Sequence, residues 1–153
     1  MAREIDDITE IIVDAAYKIH AGLGPGLLES VYEAVLAREL ERRGLTVQRQ
    51  VSVPFDYDGM HFDEGLRIDL LVEGKVIVEL KSVEKLAPVH PKQLLTYLRL
   101  MNLPVGLLIN FGAATLKEGI QRVVNNYRPS TSAASRLRVN SPDACRDAGN
   151  EEA

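Results

Sequence analysis

With 153 residues, 46% of them hydrophobic and 26% charged, the chain has the length and composition of one globular domain with a real core. Its net charge of −4 argues against a nonspecific nucleic-acid coat, which is usually basic, but leaves room for a local basic patch beside a carboxylate site. The single cysteine, Cys145, excludes an intrachain disulfide and a cysteine metal cage. No apolar run approaches the roughly 20 residues of a membrane helix. The stretch from Met1 to Asp7 lacks the basic-then-apolar order of a signal peptide. A cytoplasmic location without membrane contact is the expectation.

Along the chain, Ile8, Ile11, Ile12, Ala15, Ala16 and Ile19 fall at helical spacing within residues 6–20, and Asp6 or Asp7 can cap the start. Gly22-Leu23-Gly24-Pro25-Gly26 breaks that helix. A second helix is expected from about Leu27 to Arg43, with Leu28, Val31, Tyr32, Val35, Leu36 and Leu40 as its apolar stripe and Gly44 as its end. Val47 to Tyr57 alternates imperfectly, and Pro54 within it suits an edge strand or a bulge. Asp58-Gly59 signals a turn. Leu66 to Val72 and Lys75 to Ser82 form a hairpin around Glu73-Gly74.

Pro88 to Pro91 reads as a loop. The helix expected from about Pro91 to Met101 sets Leu94, Leu95, Leu98 and Met101 on one side, and Pro91 suits a position near its start. Val105 to Phe111 is a continuous apolar run, as in a strand covered on both faces. Leu116 to Asn126 reads as a last helix. From Pro129 the composition turns small and polar, which predicts a folded domain over 1–128 and a disordered tail over 129–153. The order α-α-β-β-β-α-β-α predicts an α/β fold. A three-strand meander, a crossover helix and one more strand make a mixed sheet of about four strands flanked by helices.

Asp69 and Glu79-Leu80-Lys81 are charges set inside two apolar strands, where ionised groups are rarely buried without a partner. Alternation puts Glu79 and Lys81 on one face with Ile77, and Arg67, Asp69 and Leu71 on one face of the preceding strand. A plain two-residue turn at Glu73-Gly74 would pair Asp69 with Val78 and send Glu79 to the opposite face. Convergence therefore demands an odd-length loop or a bulge, with Gly74 at positive φ. If the groups converge, Asp69, Glu79 and the Leu80 backbone carbonyl are hard oxygen donors suited to Mg²⁺ (or Mn²⁺), and Lys81 can orient water or neutralise a phosphate. The alternative is a structural ion pair.

Around them, Glu29 is either a metal-site acid or a first-turn charge favourable to the helix dipole. Gln93 and Tyr97, one helical turn apart, either face a phosphate, the attacking water, Lys81 or a base, or form an ordinary helix boundary. Two sets of basic residues are candidate phosphate patches or solvated surface: Arg38, Arg42, Arg43 and Arg49, and Lys81, Lys85, Lys92 and Arg99. His90 is either a phosphate or metal contact at the site mouth or a cap.

Gly26-Leu27-Leu28-Glu29-Ser30-Val31-Tyr32 has the form G-x-x-E-x-x-Y. Arg67-Ile68-Asp69-Leu70, Val78-Glu79-Leu80-Lys81-Ser82-Val83, His90-x-x-Gln93-Leu94-Leu95-x-Tyr97-Leu98 and Gly106-Leu107-Leu108-Ile109-Asn110-Phe111-Gly112 follow it in order. Over about residues 5–126 the chain closely resembles the GxxExxY protein family of the PD-(D/E)xK nuclease-like superfamily. The resemblance implies a restriction-endonuclease-like core, with Glu29 as the first-helix acid, Asp69 and Glu79 as metal ligands and Lys81 as the lysine. It also implies a Gln93/Tyr97 motif like that of RecB-type exonucleases. Ile68 stands where the superfamily name has proline. The expected activity is metal-dependent phosphodiester hydrolysis, with DNA ahead of RNA as substrate. Lys85, His90 and Lys92 are the expected substrate contacts, and a homodimer or protein partner is expected because no separate recognition domain is evident. The alternative is a catalytically inactive nucleic-acid-binding or assembly module that keeps the fold.

Overall fold

A computed structural model describes residues 3–128; the tail expected from Pro129 lies outside the described residues. Helix α1 (Ile5–Leu23) turns Ile8, Ile12, Ala15, Ala16 and Ile19 inward, as the periodicity requires. Helix α2 (Glu29–Arg42) starts two residues later than expected. Leu28 lies outside it and is exposed, as is Val31, so the buried stripe is Tyr32, Glu33, Leu36, Ala37 and Leu40. Strands β1 (Val47–Tyr57) and β2 (Met60–Val72) form a long hairpin. Its turn residues Asp58 and Gly59 both have positive φ, and the register slips at Pro54 on the sheet edge. Strand β3 (Val76–Lys81) follows, then helix α3 (Val89–Met101), strand β4 (Val105–Asn110), the short helix α4 (Leu116–Gly119) and strand β5 (Ile120–Val124). Val89 to Pro91, expected as loop, are the first turn of α3.

The five strands lie in the order β1-β2-β3-β4-β5, mixed because β3 and β4 run parallel across the α3 crossover while the other neighbours are antiparallel. The last helix expected over Leu116 to Asn126 is corrected by β5, which makes the sheet one strand wider. Leu116, Ile120, Val123 and Val124 fit helical spacing, but three of them are β-branched and pair with the free edge of β4. Gly119 ends α4 where a Cβ would collide with the Asn110 carbonyl oxygen.

Helices α1 and α2 cover one sheet face over Val76, Val78, Leu80, Leu107 and Ile109, and α3 covers the other over Ile77, Ile68 and Leu108. Strands β3 and β4 are thereby buried on both faces, which explains their unbroken apolar runs. Each fully buried Leu, Ile or Val side chain in this double layer is worth about 1.5–3 kcal/mol. Among the described residues no helix is long and apolar enough to cross a membrane.

Candidate functional site

The loop between β2 and β3 contains three residues, Glu73, Gly74 and Lys75, with Val72 paired to Val76. Glu73 (φ 56°) and Gly74 (φ 64°) both adopt the left-handed region, and the Lys75 N–H donates to the Val72 carbonyl at 3.0 Å. The loop is therefore odd, as convergence requires. Leu70 pairs with Val78, and the same register carried one step brings Asp69 opposite Glu79.

Beyond that pair the backbone ladder gives way to side chains. The Leu80 N–H donates to Asp69 Oδ2 at 2.8 Å, and the Asp69 N–H donates to Glu79 Oε1 at 3.1 Å. Each carboxylate thus replaces a strand partner for the other's segment, which holds both in the gap between β2 and β3. The alternation expected for β2 does not run straight through this point. Leu66, Ile68 and Leu71 pack on the α3 side with Ile77, whereas Leu70 and Val72 pack under α1 and α2. The break coincides with Gln50 of β1, whose φ is 50° and which drops out of a ladder that pairs Arg49 with Leu70 and Val51 with Ile68.

Glu79 is only 9% exposed. Burial pushes its carboxyl up to about 8, the adjacent Asp69 charge adds to this, and the Asp69 N–H and the Lys81 charge offset part of it. Asp69 is also raised, first by burial and then by the charges of Glu33 and Glu29, against the Leu80 N–H and the Gln50 amide. Half-buried Lys81 follows Glu79 on the α3 side of β3. Burial raises the Tyr97 phenol, the charges of Glu79 and Asp69 raise it further, and the Gln93 amide lowers it. Tyr97 and Gln93 therefore belong to the same electrostatic neighbourhood as the carboxylates, although no hydrogen bond joins Tyr97 to Lys81.

The end of β3 is clamped. Asn110, 1% exposed, accepts the Val83 and Gly112 N–H groups on Oδ1, each at 3.0 Å, and donates through Nδ2 to the Val83 carbonyl at 2.9 Å. Gly112 is needed because a Cβ there would strike the Val83 backbone. From the other side, the Ser82 hydroxyl donates to the Leu27 carbonyl at 2.6 Å. Tyr32 completes the brace. Its hydroxyl donates to the Gly24 carbonyl at 2.5 Å and accepts the Leu27 N–H at 3.2 Å, while its ring stacks on Phe111 at 4.5 Å. The tyrosine of the G-x-x-E-x-x-Y pattern thus ties the glycine loop, and with it the start of α2, to Phe111 just past β4, whose own N–H donates to the Lys81 carbonyl of β3 at 2.9 Å.

Glu29 is exposed on the first turn of α2, near enough for its charge to act on Asp69 but without a side-chain hydrogen bond among the described residues. The α2 acid joined to Asp69 through a shared partner is Glu33, which the sequence reading did not single out. It is 6% exposed, accepts Gln50 Nε2 at 2.6 Å and Arg49 Nε at 3.0 Å, and shares Gln50 with Asp69. Its signal was an acid lying in the helix's apolar stripe, the same anomaly that marks Asp69 in its strand. His90 uses Nδ1 to accept the Ala87 N–H at 3.1 Å, so this nitrogen braces the turn that opens α3. Lys85 and Lys92 are exposed, and among the described residues neither they nor Arg99 forms an ion pair. The other basic set is partly spent inside the molecule: Arg43 pairs with Asp14 and Glu39, and Arg49 with Glu33.

Among the described residues no group of three or more His, Cys, Asp or Glu side chains is arranged to hold a metal ion. The two neighbouring carboxylates are nonetheless donors of the kind a Mg²⁺-like ion takes, since that ion accepts one or two carboxylates and keeps several waters. They do not fit a zinc or calcium cage. Burial also explains the fit: two adjacent acids forced to share or shed protons gain most from a cation between them.

A mixed sheet flanked by helices, with two acids and a lysine where β2 and β3 part, defines a restriction-endonuclease-like α/β protein. The profile of the PD-(D/E)XK nuclease superfamily matches residues 6–123, and the chain belongs to that superfamily. No curated protein and no solved structure matches it.

Proposed function

We propose that the protein is a divalent-metal-dependent nuclease of the GxxExxY type that hydrolyses phosphodiester bonds, with DNA as its substrate. The observation that carries this reading is the reciprocal bonding of Asp69 and Glu79 in the gap between β2 and β3. Asp69, Glu79 and the Leu80 carbonyl would hold Mg²⁺ or Mn²⁺. When bound, the ion supplies Lewis-acid neutralisation of phosphate charge and a more acidic water.

The chain's own groups account for the remaining chemistry. Glu79 gives up its proton to become a ligand, which its raised pKa makes a pH-dependent event. Lys81, one residue past Leu80, donates to the attacking water or to a phosphate oxygen as negative charge develops. Gln93 and Tyr97 orient that water or the phosphate from α3, and Glu29 approaches from the start of α2. Lys85, Lys92 and the remaining ring nitrogen of His90 offer contacts to the nucleic-acid backbone. A second copy or a protein partner would widen the surface that contacts nucleic acid. A reducing compartment such as the cytoplasm suits a chain with one cysteine.

The test is a cleavage assay on linear, circular, single-stranded and double-stranded DNA and on RNA, with Mg²⁺ or Mn²⁺, beside Glu79→Ala. Metal-dependent cutting of DNA that Glu79→Ala lacks by at least about 1,000-fold is the expected result. Nucleic-acid binding without turnover would instead identify an inactive binding module, and equal activity in both proteins would mark a contaminant.

A further inference from the structure

Gln50 stands out for a reason unrelated to its chemical class. It lies in the middle of β1, yet its φ of 50° is in the left-handed region, which costs a non-glycine residue energy and is unfavourable in a strand. The β1–β2 ladder pairs the residues before and after it but not Gln50 itself. In exchange for that lost pairing its amide nitrogen reaches two acids, donating to Glu33 Oε1 at 2.6 Å and to Asp69 Oδ1 at 3.4 Å. The two carboxylates share one amide, and as like charges they repel. Arg49, the preceding residue, holds the other oxygen of Glu33 at 3.0 Å. Of the two Asp69 oxygens, Oδ2 is fixed by the Leu80 N–H and Oδ1 takes the longer contact from Gln50, while the Glu79 carboxyl lies against the same carboxylate.

We infer that Gln50 is a positioning residue of the metal site: a neutral double donor, set by a strained backbone, that separates Glu33 from Asp69 and fixes the orientation of the Asp69 carboxylate. Glu33 and Arg49 anchor the donor from behind. The inference deepens the proposed function and rests on it, because it assumes that Asp69 binds a cation. Partners that orient a metal ligand commonly set affinity by about 10- to 100-fold when removed.

Two variants separate positioning from folding. Gln50→Gly removes the amide and also relieves the left-handed backbone. Gln50→Asn keeps an amide and a residue type that tolerates this backbone, but shortens the reach by one methylene. Calorimetric titration of Mn²⁺ into the full chain at one pH above 8, with thermal unfolding of the metal-free proteins in parallel, reads both properties. In both variants the Mn²⁺ affinity is expected to fall by about tenfold or more, while the metal-free unfolding midpoint of Gln50→Gly stays level or rises. Wild-type affinity in either variant overturns the inference and leaves the nuclease reading standing. Parallel losses of affinity and midpoint in both variants assign Gln50 to folding alone and also overturn it. A wild-type protein that takes up no Mn²⁺ refutes the nuclease reading, and this inference with it.

Discussion

Glu79→Gln is expected to abolish metal-dependent cleavage and, in the same sample, to stabilise the metal-free protein at alkaline pH. The sign follows from linkage. The folded-state carboxyl titrates at about 8, against an ordinary value of 4.5. Between these values the folded protein holds a proton that the unfolded chain releases, so stability falls as pH rises through that window. A carboxylate that must ionise while buried between strands costs the fold on the order of 3–5 kcal/mol once the pH exceeds 8. Glutamine has the same shape, can still accept the Asp69 N–H and never ionises, so the variant escapes that cost. Urea unfolding from pH 5 to 9 should show the two proteins converging at the acid end, with the variant the more stable at the alkaline end. Mg²⁺ should raise wild-type stability at alkaline pH and leave the variant unmoved. A variant less stable than wild type at pH 9 would mean that the carboxylate is a structural partner and not a waiting ligand.

Lys81→Met has a different expected signature. The substitution keeps most of the aliphatic stem and deletes the charge. Turnover should fall by about 100- to 10,000-fold, the range for losing a positioned proton donor or a charge that stabilises a transition state. Metal binding should survive but shift to higher pH, because the Lys81 charge is one of the influences that draw Glu79 down. Single-turnover rates and metal titrations at two pH values separate the effects. Wild-type turnover in Lys81→Met would remove the lysine from the chemistry.

The parts of the fold that could be read in advance are those in which one pattern has one solution. The 3.6-residue stripe of α1, the unbroken apolar β4 and the Asp58-Gly59 turn belong to this group. The last segment did not, because Leu116, Ile120, Val123 and Val124 satisfy helix and strand alike. An unpaired edge of β4, which no local pattern reveals, decides between them. The site divides in the same way. Asp69 and Glu79 were visible as charges in apolar strands, and their need for an odd loop is met by Glu73, Gly74 and Lys75. Glu33 was equally visible in principle but was masked by the neighbouring Glu29, which carries the motif. Gln50 was not legible, because a left-handed residue in mid-strand is set by what lies across from it, not by its own type.

The most direct measurement is a crystal soaked with Mn²⁺ at a pH above 8, with the metal located by its anomalous scattering. One peak is expected between the Asp69 and Glu79 carboxylates and the Leu80 carbonyl oxygen, with oxygen ligands at roughly 2.0–2.2 Å. A peak elsewhere, or none while Glu79 is ionised, would contradict the assignment of this gap as a metal site.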